Sequence, residues 1–408
     1  MAKATQQEMI VGLDIGTSKV VAIIAEVDEA GEIEVIGLGF HPSRGMKKGI
    51  VVDIESTVQS IQRAVEEAEL MGDCQVHSVY ASLAGNHIKG MNSHGMVAIK
   101  DKNEVTMGDV ERVVDAAQAV AIPAEQAILH VLPQEFIIDQ QEGIREPVGM
   151  SGIRLDAKVH LVTAAESAIQ NIEKCVRRCG LEVDDVILAP LASSYAVLTD
   201  DEKELGVCLI DIGGGTTDIA VFTEGAIRHT AVIPIAGDQA TNDIAVALRT
   251  PTQQAEEIKI RHGCALRKRV GDEEELEVPG VGDRESARLS RQTLASVIEP
   301  RFEELLSLVQ SELKHAGYLE MLGAGVVLTG GSSRIEGLAE LAEEIFQMPV
   351  RVGAPARVKG LTEVVNNPAY STGVGLLVYG VHNRRSSLGH GRSGDGIIQR
   401  FKRWLNQL

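Results

Sequence analysis

Short apolar and alternating runs open the chain. Ile10 to Leu13, Val20 to Glu26 and Ile33 to Phe40 are separated by the turn residues Gly16-Thr17-Ser18 and Asp28-Glu29-Ala30-Gly31. This pattern predicts three strands. After Asp53 the period lengthens: Ile54, Val58, Ile61 and Val65 share one helical face. The same design returns later. Leu209-Ile210-Asp211-Ile212-Gly213-Gly214-Gly215-Thr216 leads into Asp218 to Phe222, the turn Thr223-Glu224-Gly225 and a further strand. Strand, Asp-Ile-Gly loop, strand, hairpin, strand is thus written twice, which implies a duplicated α/β unit with a cleft between its halves.

Between the copies, Gly85 to His160 breaks the pattern and reads as an inserted subdomain. Its helix, Thr106 to Gln118, starts at a capping box completed by Asp109. Thr163-Ala164-Ala165-Glu166 reads as a second capping box, opening a helix with Ile169, Ile172 and Val176 on one face. Arg267 to Arg291 is polar and charged and reads as a loop facing solvent or a partner.

Composition narrows the function. With 408 residues, 44% hydrophobic and 24% charged, the chain is sized for several globular domains. A net charge of -19 excludes a general nucleic-acid binder and a body lying flat on anionic lipid. Cys74, Cys175, Cys179, Cys208 and Cys264 contain no Cys-x-x-Cys pair. Cys175 and Cys179 share a helix face that would suit a metal, but free thiols in a reducing cytosol fit the set better. The polar Met1 to Glu8 is no signal peptide and no apolar run is of spanning length, so a cytosolic chain is expected.

Three loops carry candidate chemistry. In the first, Asp14 ends a strand and Gly16, Thr17, Ser18 and Lys19 follow in the turn. Gly lets the backbone approach a phosphate, and Asp14 would hold Mg there, directly or through its water. Taken alone, such a turn is more often structural. The second loop is more telling: Asp211, then Gly213, Gly214, Gly215, Thr216 and Thr217. Successive glycines after a buried strand weaken a fold unless the bare backbone is needed. In the third, the strand Val326 to Leu328 ends in Thr329-Gly330-Gly331-Ser332, with a helix from about Ile335. There adenine would lie against the backbone. Glu256 and Lys259, one helical turn apart, would reach ribose or adenine, or would form a plain surface ion pair.

These three loops, in this order, resemble the actin and Hsp70 superfamily of ATP-binding proteins. Ala189 to Ser194 resembles its first connecting helix and Ser371 to Leu376 its second. The resemblance implies an actin-like duplicated fold with ATP and Mg in the cleft. Chaperones of that superfamily and MreB-type actins carry a water-orienting Glu where Ala189 stands here. The departure implies weak or absent hydrolysis.

The end of the chain reverses the body's charge. From His382 six Arg or Lys face one Asp. His382 to Asp395 reads as a flexible tether, followed by a short amphipathic helix. Ile397, Ile398, Phe401, Trp404, Leu405 and Leu408 form its apolar face, with Arg400, Lys402 and Arg403 beside it. This is the pattern of an interfacial membrane anchor, rather than a helix docked on the chain's own core. One short helix binds lipid weakly, so polymerisation would strengthen the anchoring.

Body, insert and tail together resemble the FtsA family of bacterial cell-division proteins, down to Ser43 to Met46, Val148 to Gly152 and Arg261 to Cys264. The resemblance divides the chain as follows: 1–84 with 161–200 and 365–381 as the core of the first half, and 85–160 as the insert. Residues 201–234 and 305–364 are the core of the second half, with 235–304 its small subdomain. Residues 382–395 are the linker and 396–408 the anchor. It implies filaments on the inner membrane at the septum and binding of the FtsZ tail by the small subdomain, with Arg291 and Arg301 as candidate contacts. It also implies that the insert receives later division proteins such as FtsN. Rival readings are a small-molecule kinase, a chaperone and a cytosolic PilM-like adaptor. No second substrate carboxylate, no long domain after the nucleotide domain and the presence of the tail argue against each in turn.

Overall fold

The computed structural model describes residues 8–271, 273–282 and 285–388, with side chains to Arg384. Two mixed sheets repeat one topology. In the first half the strands Glu8–Ile15, Lys19–Val27 and Ile33–Pro42 form an antiparallel meander. Ser78–Leu83 and then Glu182–Leu188 add parallel on the other side of the first strand. In the second half Val207–Ile212, Thr217–Thr223 and Ala226–Ile233 form the same meander. Val326–Thr329 and Val350–Val352 add parallel in the same sense. The sequence-level duplication is therefore a duplication of strand order.

Helix Ile54–Gly72 starts where Asp53 accepts from the Glu55 and Ser56 N–H groups. Its face of Val58, Ile61, Ala64 and Ala68 lies on the first sheet. The approach is so close that a Cβ on Gly39 would stand 1.9 Å from the Ala64 carbonyl oxygen. The helix is held there because that strand position is bare.

The insert is a four-stranded antiparallel sheet, ordered Lys89–Ala98, Arg154–Ala165, Gln126–Ile138, Gln141–Ile144. Helix Met107–Gln118 covers it, with the expected Thr106–Asp109 capping box. Val113, Phe136, Leu155 and Leu161 form a core of its own.

Four local expectations are corrected. Thr163 lies inside the strand Arg154–Ala165, paired with Lys89 and Ile128, so helix Glu166–Arg178 begins without a side-chain cap. Its backbone donors are committed to a ladder that suits a β-branched residue. The expected loop Arg267 to Arg291 contains the hairpin Glu275–Val278 with Ala287–Ser290. Its period-two signal, Leu276 and Val278 buried between exposed glutamates, was masked by the surrounding charge. After Gly331–Arg334, a 3-10 turn, left-handed Gly337 delays the next helix to Leu338–Phe346. Finally, Ser371–Leu388 is one helix, so the chain is helical beyond the expected tether start at His382. Arg384 fastens it by donating to the Met9 carbonyl at 2.8 Å and pairing with Asp184 at 3.2 Å. Ile397, Ile398, Arg400, Phe401, Lys402, Arg403, Trp404, Leu405 and Leu408 lie outside the described residues. Among the described residues no helix is long and apolar enough to cross a membrane.

Candidate functional site: the cleft between the halves

The two Asp-Gly loops face each other across a cavity of about 440 Å³, within the range of small-molecule sites. They close by the same backbone bond. Gly16 N–H donates to the Lys19 carbonyl and Gly213 N–H to the Thr216 carbonyl, each at 3.0 Å. The loops also interlock: a Cβ on Gly214 would stand 1.7 Å from Ser18 Oγ, and one on Gly215 2.6 Å from Thr17 Oγ1. A side chain on either glycine would displace the Ser18 or Thr17 hydroxyl from the loop contact.

Behind the loops are three carboxylates, Asp211 and Asp218 buried and Asp14 half-buried. Asp14 accepts from Ser82 Oγ at 2.7 Å. Asp211 accepts from Ser193 Oγ at 2.6 Å. Asp218 accepts from Thr216 Oγ1 at 2.9 Å through one oxygen, while its Oδ1 is buried with no hydrogen-bond partner. Burial raises the pKa of all three, to about 6 for Asp211 and about 7 for Asp218, where the Asp14 and Asp211 charges add to the effect. Lys19 is pushed down by its own burial, although the Asp14 and Asp211 charges oppose this. Its ammonium donates to the Ala369 carbonyl at 2.7 Å and sits over the Tyr370 ring.

A cation would relieve the crowding of these carboxylates. Among the described residues no group of three His, Cys, Asp or Glu is placed to hold a metal directly. The three carboxylates, with the unpartnered Asp218 Oδ1 as a ready acceptor, are a donor set that fits Mg held through its water shell.

The third loop closes one end. Left-handed Gly330 brings the backbone against Asp211 and Ile212, while a Cβ on Gly331 would meet only Ala369 Cβ, at 3.9 Å. Gly331 thus offers an open backbone surface. Ser332 Oγ donates to the Gly213 carbonyl at 2.8 Å. Lys259 is buried, and its Nζ meets Glu256 at 2.6 Å and the Gly237 carbonyl at 3.0 Å. It is an internal brace, and the plain surface-pair reading of these two residues does not hold.

The cavity thus gathers every nucleotide-site residue expected from the sequence except Thr217. Thr217 is fully buried and donates to the Ile235 carbonyl at 2.7 Å. It alternates with Thr216 along the strand and faces the other side. Arg291, expected on a partner surface, lines this cavity and is held by Glu274, Glu336 and the His262 carbonyl. Arg301 pairs with Asp243 and Glu304. Neither guanidinium is free for a partner without exchange. Sequence reading missed Asp218, Asp238 and Arg334, which also line the cavity. The Asp at the far end of the Gly-Gly-Gly-Thr-Thr run was visible as a signal for the first of these.

The model of the family described as "Cell division protein FtsA" matches residues 208–375, and that of the "SHS2 domain inserted in FTSA" matches 85–163. The cell division protein FtsA of Pseudomonas aeruginosa is 64% identical over 414 residues, covering 99% of each chain. This chain belongs to the FtsA family of cell division proteins. The FtsA of Escherichia coli is 55% identical over 387 residues, covering 93% of this chain and 92% of the relative. Among solved structures, the PilM-PilN type IV pilus biogenesis complex matches with a TM-score of 0.66 at 18% identity, covering 91% of this chain and 98% of that one. MreB5 of Spiroplasma citri bound to ADP matches at 0.56 and 15%, covering 93% and 99%. These likenesses establish the actin-like fold of this FtsA-family chain. They lend nothing to the pilus-adaptor or kinase readings.

Proposed function

We propose that the chain binds ATP with Mg in the cleft and polymerises on the cytoplasmic face of the inner membrane at the division septum. There it ties FtsZ filaments to the membrane and receives later division proteins such as FtsN. The observation that carries this reading is the convergence of both Asp-Gly loops and the Gly-Gly loop on one cavity, in a chain of the FtsA family. The MreB5 neighbour, whose structure holds ADP, has the same fold.

Within the cleft, Gly214 and Gly215 from one loop and Thr17 and Ser18 from the other would present backbone N–H groups to the phosphates, while the Gly16 and Gly213 N–H groups keep the loops closed. Asp14, Asp211 and Asp218 would orient the water shell of Mg, which when bound supplies charge neutralisation. Gly330, Gly331 and Ser332 would receive the base, with Lys259 fixing the Gly237 turn and Glu256, braced by Lys259 and Thr241 through one carboxylate oxygen, reaching ribose with the other. Ala189 offers no group to orient an attacking water, so nucleotide would act through the cleft's conformation.

The test is vesicle co-sedimentation of the full chain and of a version ending at Ser393, with and without Mg-ATP. Pelleting by the full chain alone, strengthened by ATP, supports anchoring and nucleotide-linked assembly. Equal pelleting of both would overturn the terminal anchor.

A further inference from the structure

The insert is covalently part of the first half, yet it also grips the second. At its base the Leu188 N–H donates to His130 Nε2 at 3.0 Å. Leu188 directly precedes Ala189, which lines the cleft. At its other end the edge strand Lys89–Ala98 lies beside Ala226–Ile233 of the second half. Among the described residues no backbone ladder joins these two strands. Side chains join them instead.

His160 is the centre of this contact. It is 1% exposed, with Nδ1 2.7 Å from Asn92 Oδ1 and Nε2 2.9 Å from Thr230 Oγ1. Asn92 Nδ2 donates to the Arg228 carbonyl at 3.1 Å, and Gln134 Nε2 to the Ile227 carbonyl at 2.9 Å. Gln134 Nε2 also donates to Asn92 Oδ1. With its amide oriented this way, Asn92 Oδ1 can only accept. His160 therefore carries its proton on Nδ1 and accepts from Thr230 at Nε2. Burial pushes the His160 pKa down to about 3, which keeps the ring neutral and the network closed at cellular pH. At the rim, Arg145 reaches Glu204 at 2.6 Å and the Glu224 carbonyl at 3.0 Å. The fit depends on Gly90, where a Cβ would stand 2.3 Å from Thr230 Oγ1.

The cleft separates the same two halves that this contact joins. A change in their relative angle must strain the contact or carry the insert with it. We propose that the insert is a clasp across the two halves, closed through His160, Asn92 and Thr230, and thermodynamically linked to nucleotide in the cleft. The linkage rests on the nucleotide reading of that cleft. Because coupling is reciprocal, an intact clasp tightens nucleotide binding, and nucleotide tightens the clasp.

The experiment is Mg-ATP titration of the full chain, followed by calorimetry, for wild type, Thr230→Val, Gly90→Ala and Arg145→Ala. Amide hydrogen exchange of Lys89 to Ser93 and Ala226 to Thr230 is read in parallel. We expect binding weakened about fivefold or more in Thr230→Val and Gly90→Ala, the lower range of measured couplings. We also expect slower exchange of both segments when wild type binds Mg-ATP. Arg145 is half exposed, so its removal leaves the core intact, and weaker Mg-ATP binding by Arg145→Ala is the expected result if the buried variants do not fold. Wild type that binds, with folded variants binding equally and unchanged exchange, overturns the linkage alone. Wild type that binds no Mg-ATP overturns the cleft reading and the linkage together.

Discussion

Ser193 and Thr372 meet hydroxyl to hydroxyl at 3.0 Å although 179 positions separate them. Each belongs to one of the two helices that link the halves, Ala189–Val197 and Ser371–Leu388. Both hydroxyls turn to Asp211 Oδ2, at 2.6 Å from Ser193 and 3.4 Å from Thr372. The carboxylate behind the second glycine loop is thus positioned by the hinge itself. Changes in hinge angle reach it directly.

Removing these hydroxyls should therefore loosen the site without emptying it. Ser193→Ala combined with Thr372→Val is expected to weaken Mg-ATP binding by about 10-fold, as for other groups that orient a ligand-holding carboxylate. Titration calorimetry reads the change. Unaltered affinity in a folded double variant would show that the hinge does not position Asp211.

The crossing of these helices makes a sharper prediction. A Cβ on Gly375 would stand 1.9 Å from the Ala192 carbonyl oxygen, which is rigid backbone. Gly375→Ala should destabilise the fold by about 1–3 kcal/mol, the usual cost of overpacking, despite its better helix propensity. Urea unfolding measures it. A neutral or stabilising result would mean that the helices separate easily.

The carboxylates predict an unusual pH trend. Asp211 and Asp218 have folded pKa values raised to about 6 and about 7. The unfolded chain releases these protons near pH 4. Between there and pH 7 the folded state holds protons that the unfolded state has lost. Their stabilisation is present at low pH and fades as pH rises through the folded values, by roughly 1.4 kcal/mol per pH unit for each proton so held. Nucleotide-free Asp218→Asn should therefore have a flatter profile of melting temperature from pH 5 to pH 8 than wild type. Parallel profiles would place the buried proton elsewhere.

Much of the site was legible because its chemistry is written in consecutive residues. Gly213 to Thr216 line the cavity because strand geometry leaves that turn little choice. Thr217 failed because one step along a strand reverses the face. Asp218, two steps on, returns to the cavity and could have been found by the same rule. The place of Arg291 at the cavity was not legible for another reason. Its neighbours in space, Glu274, Glu336 and the His262 carbonyl, come from three separate segments. No local pattern joins them. The hairpin at Leu276 and Val278 was hidden because its alternation spans only four residues per strand, Glu275–Val278 against Ala287–Ser290, amid charge.

Ala189 carries the last prediction. It lines the cavity at the start of the first connecting helix, where its methyl group accepts no proton and aligns no water. The carboxylates nearby do not replace it as a base. Asp211 is held by Ser193 and Thr372 through Oδ2 and Asp14 by Ser82 through Oδ1, and the remaining oxygen of each would be taken by the water shell of Mg rather than by an attacking water. Wild-type phosphate release should then be slow, on the order of 10⁻³ s⁻¹ or less, the scale of nucleotide switches lacking an assisting group. Ala189→Glu would place a carboxylate at the cleft wall and should raise that rate by about 100-fold, the lower end of general-base assistance. Single-turnover release of labelled phosphate separates chemistry from nucleotide exchange. A wild-type rate near one per second would show that another group, with Asp218 and its unpartnered Oδ1 the first to test, already orients the water.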